Sequence, residues 1–117
     1  MSQQQMFEQC NEATAFLKLL ANPNRLMVLC SLQQQHYNVT ELAEMTGLPQ
    51  AAMSTQLALL REAGLVDCEV RHRERLYYIA DPRVTETIQL LHTFFCAEQT
   101  EVLAKANDEI TEEILAQ

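Results

Sequence analysis

The sequence predicts a mainly α domain that carries one small antiparallel β-hairpin. Along most of the chain apolar residues recur at alternating steps of four and three, as at Met6, Cys10, Ala13, Leu17 and Leu20. Residues 65–70 and 76–79 break that rhythm with β-branched and aromatic residues. The two glycines and three prolines each fall where a helix should start or stop.

The elements follow in order. The stripe from Met6 to Leu20 is a first amphipathic helix. Asn22-Pro23 reads as an N-cap followed by proline at the first helical position, opening a helix that runs to about Leu32. Residues 33–38 form a polar connection. Asn38 or Thr40 can cap a short third helix, and Gly47 ends it by accepting a left-handed conformation. Leu48-Pro49 opens a longer helix through Ala63 with Ala52, Met53, Leu57 and Leu60 on its apolar side, stopped by Gly64. The two β-type runs are joined by the charged segment 71–75, and Asp81-Pro82 caps a last helix striped by Val84, Ile88, Leu91 and Phe95. That helix can continue through Val102, Ala106, Ile110 and Ile114. A short helix, a glycine turn, a longer helix and a hairpin make a winged helix-turn-helix. The chain reads as a single domain over 1–117, with the helix-turn-helix at 39–63 and the wing at 65–79. Dimerisation helices are expected at 6–20 and 82–117, because so small a domain can bury both stripes against a second copy.

Composition narrows the function classes. No basic lead-in with an apolar stretch begins the chain, and no run approaches the roughly 20 apolar residues that span a bilayer. A soluble, cytoplasmic protein without membrane partners is expected. The net charge of −8 argues against nucleic acid at first sight, yet five of the eight basic residues lie between Arg61 and Arg83. Phosphate responds to local potential, since charges beyond about 8–10 Å are screened.

Duplex DNA is the partner this arrangement suits. A recognition helix must show short polar side chains to base edges in the major groove. The exposed side of the fourth helix offers Gln50, Ala51, Ser54, Thr55 and Gln56, with Arg61 further along to reach phosphate. In the wing, strand alternation places Arg71, Arg73 and Arg75 on one side, suited to gripping phosphates or entering the minor groove. A solvated helix face and a solvated turn have the same compositions. Glu69 and Glu74 weaken the patch and imply moderate, salt-dependent affinity.

These segments resemble the ArsR/SmtB family of dimeric bacterial repressors. The resemblance is carried by Leu20-Ala21-Asn22-Pro23-Asn24-Arg25-Leu26, Val39-Thr40-Glu41-Leu42-Ala43, Leu48-Pro49-Gln50-Ala51-Ala52-Met53-Ser54-Thr55-Gln56-Leu57 and Leu60-Arg61-Glu62-Ala63-Gly64-Leu65-Val66. It covers about Phe16 to Cys96. The family's recognition helix usually reads S-x-H-L where this chain has Ser54-Thr55-Gln56-Leu57, and Pro49 stands where a capping serine is frequent. The resemblance implies a homodimer that releases an operator on meeting an inducer.

The four cysteines, Cys10, Cys30, Cys68 and Cys96, form no C-x-x-C pair. An oxidoreductase or other enzyme is therefore not expected, nor is any cofactor. Residues 39–47 lack the cysteines of the family's arsenic and cadmium sites, and the last helix offers only His92 as an imidazole. Cys30 and Cys96 are similar in position to the pair of the BigR/SqrR/HlyU-type branch. That likeness implies a sensor of reactive sulfur species or oxidants that links the two sulfurs. Each can equally be a small buried apolar side chain. Cys10 is expected in core or dimer packing, with Phe7, Phe16 and Phe94, and Cys68 at an outward strand position. Two further readings stay open: a metalloregulator with Cys30, His92 and Cys96 as partial ligands, and a winged-helix module that binds protein.

Overall fold

The computed structural model of the chain describes residues 1–96. Seven elements follow one another: α1 (Gln3–Leu20), α2 (Pro23–Gln34), α3 (Val39–Thr46), α4 (Gln50–Glu62), β1 (Val66–Arg71), β2 (Glu74–Ile79) and α5 (Pro82–Phe95). This is the expected winged helix-turn-helix order. The chain divides into two compact units, Met1–Asp81 and Pro82–Gln117. The expected continuation of α5 and its acidic tail lie outside the described residues. None of the described helices is long and apolar enough to cross a membrane.

Side-chain caps fix most helix starts. α1 begins three residues before Met6, because Ser2 and Gln5 form a capping box: the Gln5 N–H donates to Ser2 Oγ and the Ser2 N–H to Gln5 Oε1. Asn22 caps α2, its Oδ1 accepting from the N–H groups of Asn24 at 3.0 Å and Arg25 at 3.1 Å. Of the two candidates for α3, Asn38 is the cap, in a second box with Glu41. Gly47, at φ 76°, closes α3 and turns the chain into α4, which starts at Gln50 with Pro49 as a cap that offers no side-chain acceptor.

In the first unit the core gathers Val28, Leu29 and Leu32 of α2, Leu42 and Ala43 of α3, and Met53, Leu57 and Leu60 of α4 beneath Leu65, Val66 and Tyr77. The hairpin pairs Val66 with Ile79 through Arg71 with Glu74. The 33–38 connection holds more order than its polarity suggests. Tyr37 is buried and makes an antiparallel bridge to Tyr77, exchanging hydrogen bonds of 3.3 and 2.8 Å, so the free edge of β2 is partly covered. Asn38 Nδ2 donates to Glu74 Oε1 at 2.6 Å, a second tie between the start of α3 and the wing.

Much of α1 is uncovered. Of its stripe only Leu20 is buried, while Met6, Phe7 and Leu17 are more than half exposed. In the second unit α5 buries Val84 and Ile88 and exposes Leu90, Phe94 and Phe95. Phe94 and Phe95 meet edge to face, 6.4 Å apart.

The wing turns through only His72 and Arg73, both left-handed at φ 50° and 68°. A two-residue turn of this hand matches the strand twist but favours Asn-Gly, since a Cβ is disfavoured at positive φ. Replacing Arg73 by Gly should raise unfolding free energy by about 0.5–1 kcal/mol in urea denaturation. Asn22→Ala should lower it by about 1–2 kcal/mol, and Asn22→Asp should keep most of it.

Candidate nucleic-acid interface

α4 presents two unlike flanks because its third side is fully committed. Met53, Leu57 and Leu60 have no exposure, which pins the rotation of the helix about its own axis. Gln50, Ser54, Ala58 and Arg61 follow at steps of four, four and three and so line one flank. Ser54, Ala58 and Arg61 of this flank, with Glu62, Val39, Arg75 and Tyr77, wall an open cleft of about 710 Å³ between the start of α3, α4 and β2. Ser54, Arg61 and Arg75, three of the residues nominated from sequence, therefore meet around one depression. Tyr77 holds its place there as the inward neighbour of the Tyr37 bridge.

The remaining nominated residues are distributed around this centre. Gln50 Nε2 donates to Thr40 Oγ1 at 2.6 Å, joining the starts of α4 and α3 at the edge of the same face. Ala51 and Thr55 are exposed on the adjoining stripe, and the Thr55 hydroxyl donates back to the Ala51 carbonyl at 3.1 Å. Gln56 departs from expectation. It lies on the opposite flank, half-buried, with its Oε1 accepting from Arg25 Nη1 at 3.2 Å.

The wing arginines do not share a side. Because Arg71 pairs with Glu74 and Val70 with Arg75, Arg71 and Arg75 project from opposite faces of the hairpin. The alternation expected from sequence holds along one strand but is reset by the two-residue turn. Arg75 joins the cleft, Arg73 sits exposed at the tip, and Arg71 lies 2.9 Å from Glu69 on the outer face. Glu69 also meets His36 Nδ1 at 3.4 Å, and His36 stacks on Tyr78 with ring centres 5.2 Å apart.

Sequence reasoning missed two residues that bind the nominated side chains. One is Arg25, whose place after Asn22-Pro23 gave no hint of a reach to α4. The other is Asp67, whose Oδ1 accepts from Arg61 Nε at 3.0 Å and from the Cys68 N–H at 2.8 Å. The Cys68 N–H holds the Asp67 carboxyl below its ordinary range; desolvation opposes it, and the Arg61 hydrogen bond and charge add to the lowering. The spacing of Arg61 and Asp67 across the Gly64 turn was the available signal.

All four cysteines are thiols. Cys30 is half-buried in α2, and Cys96 is exposed just after α5 with its N–H on the His92 carbonyl. Cys10 is exposed in the single chain, so it belongs to no core. Cys68 is not outward: it pairs with Tyr77, shares the face of Val66 and is half-buried. Among the described residues no group of three or more His, Cys, Asp or Glu side chains is placed to hold a metal ion.

Residues 22–67 match the family model described as bacterial regulatory protein, arsR family. The chain is 32% identical over 99 residues to a biofilm growth-associated repressor of Xylella fastidiosa, covering 85% of this chain and 87% of that protein. The fold resembles that of reduced HlyU from Vibrio cholerae at a TM-score of 0.76 and 35% identity, over 80% of this chain and 99% of the other. It also resembles a homodimeric winged helix-turn-helix DNA-binding domain from Mycobacterium bovis at 0.68 and 26% identity, over 93% and 92% of the two chains.

The Asp67 contacts carry a pH dependence of known sign. A carboxyl whose folded pKa is depressed stabilises the fold above its unfolded pKa, and that contribution is lost as pH falls through the folded value. Carbon-detected NMR titration should find Asp67 protonating below the ordinary aspartate midpoint of about 3.9, and Arg61→Ala should move it back upward.

Proposed function

The chain belongs to the arsR family of bacterial regulatory proteins, and from that premise we propose that it is a homodimeric repressor whose α4 and wing grip operator DNA. It is a transcriptional regulator rather than an enzyme. The observation that carries the DNA-reading assignment is the cleft where Ser54, Arg61 and Arg75 converge. A short hydroxyl and two guanidinium groups, which outnumber the one carboxylate of the lining, Glu62, suit a phosphate flanking the major groove, with Gln50, Ala51 and Thr55 beside the cleft to meet base edges. Arg73 at the tip of the wing reaches a neighbouring phosphate or the minor groove, and Arg71, held by Glu69, contributes least.

Two copies are needed for an operator with two half-sites one helical turn apart. The uncovered stripe of α1 and the exposed Leu90, Phe94 and Phe95 of α5 supply apolar surface for that pairing. The Mycobacterium bovis domain, described as homodimeric, supports the same assembly.

The inducer in this reading is a reactive sulfur species or another two-electron oxidant acting on Cys30 and Cys96. The two thiols give up two protons and two electrons to the oxidant, and a sulfur–sulfur bond forms directly or through sulfane atoms that the oxidant supplies. Linked dimer then fits two half-sites poorly, so affinity falls only by as much as the two states differ in free energy. Support comes from both residues being thiols, from Cys96 being exposed, and from the similarity to HlyU, which is described in a reduced form.

Three measurements test these assignments. Arg61→Ala, Arg75→Ala and Arg73→Gly should each weaken duplex binding and reduce the slope of log affinity against log salt by about one unit. Asp67→Asn, which frees Arg61, should strengthen binding at low salt. Polysulfide or peroxide should lower wild-type affinity at least about tenfold, reversibly with a reductant, and leave Cys30→Ser and Cys96→Ser proteins within about twofold. Loss of affinity that persists in both serine variants removes the cysteine pair from the mechanism.

A further inference from the structure

We infer that Arg25 is a positioning residue that sets the orientation of α4 against α1 through a three-pronged guanidinium bridge. The inference rests on α4 being the DNA-reading helix, and it assigns the angle at which that helix is held to a residue that lies on neither the reading face nor the wing.

The C-terminus of α1 creates the need. Its last carbonyls have no partners within the helix. The Ala21 N–H satisfies Leu17 O and the Asn22 N–H satisfies Leu20 O, each at 2.9 Å, which leaves Lys18 and Leu19. Arg25 takes both: Nε donates to Leu19 O at 2.8 Å and Nη2 to Lys18 O at 3.1 Å. The positive charge also complements the negative end of the α1 dipole. The third prong, Nη1, crosses to Gln56 Oε1 on α4 at 3.2 Å.

Arg25 is itself held, because its backbone N–H is bound by the Asn22 cap at the start of α2. One planar group therefore ties the end of α1, the beginning of α2 and the middle of α4. A guanidinium only donates, so Gln56 must turn its oxygen inward and its rotamer is fixed. Lysine cannot substitute, because a single nitrogen cannot reproduce a fork that spans three acceptors. In a dimer joined through α1, the angle between α1 and α4 sets the distance between the two reading helices. A small rotation there detunes a half-site spacing of about one helical turn.

The test compares Arg25→Lys, Gln56→Met, the double variant and Gln56→Glu in the full chain. Residual dipolar couplings of α4 relative to α1 are measured without DNA, and affinity is measured for a duplex that the unmodified protein selects from a random-sequence pool. Arg25→Lys and Gln56→Met should both reorient α4, while Gln56→Glu, which keeps the acceptor, should not. Each of the first two should weaken binding about tenfold with the dimer intact, and the double variant should be no weaker than the weaker single, since all sever one bridge. Gln56→Met leaves the α1 cap in place, so it reports even if Arg25→Lys unfolds. Unchanged couplings in Gln56→Met, or losses of affinity that multiply in the double variant, overturn the inference. If the unmodified protein selects no duplex, the DNA-reading premise fails, and the couplings still decide whether Arg25 orients α4.

Discussion

The reading face depends on burial of the opposite side of one helix. Met53, Leu57 and Leu60 are wholly enclosed, and truncating any of them would cost about 2–5 kcal/mol in a core of this kind. That cost locks α4 in one rotation about its axis. Ser54 and Arg61 face the cleft because these three residues cannot face anywhere else. The wing inherits the same constraint, since Leu65 and Val66 enter the core directly after Gly64 and fix where the hairpin departs. The Tyr37–Tyr77 bridge and the Asn38–Glu74 hydrogen bond then hold the hairpin beside the start of α3.

The sequence announced the elements more clearly than their relations. Asn22-Pro23, Gly47 and Gly64 marked boundaries because capping and positive φ are local properties of a few residues. The start of α1 was legible in Ser2 and Gln5 as well, but the apolar stripe drew the boundary to Met6 instead. Relations across the chain were harder. The arginine alternation failed at the two-residue turn, since a hairpin face is set by cross-strand register and not by spacing along the chain. Gln56 read as one more polar residue of the helix, because its partner Arg25 lies 31 residues away. Tyr37, in a segment of polar neighbours, gave no periodic signal at all. Its place is fixed by the backbone bridge to Tyr77, a partner far along the chain.

Electrostatics explains how a chain of net charge −8 can serve a polyanion. The cations near the reading face are partly engaged by carboxylates of the same protein: Arg61 by Asp67 and Arg71 by Glu69. Exposed pairs of this kind contribute little to stability, because solvent screens them. Their effect on binding is larger in consequence, because phosphate must displace the carboxylate before it gains the guanidinium. In the proposed complex this would hold nonspecific affinity down, while a site that also satisfies the base-reading side chains would still gain enough to bind.

The tip of the wing makes the opposite trade. His72 and Arg73 occupy left-handed backbone positions that Asn-Gly would fill with less strain. A hairpin selected for stability alone would place glycine there. Keeping arginine at the apex places a long side chain at the point farthest from the strands that hold it, the position the proposed DNA contact requires. The strain is supportable because both ends of the hairpin are secured elsewhere, at Leu65 through the Ala80 N–H and at Tyr77 through Tyr37. Order at the base of the wing is what allows its apex to keep two side chains in left-handed backbone positions.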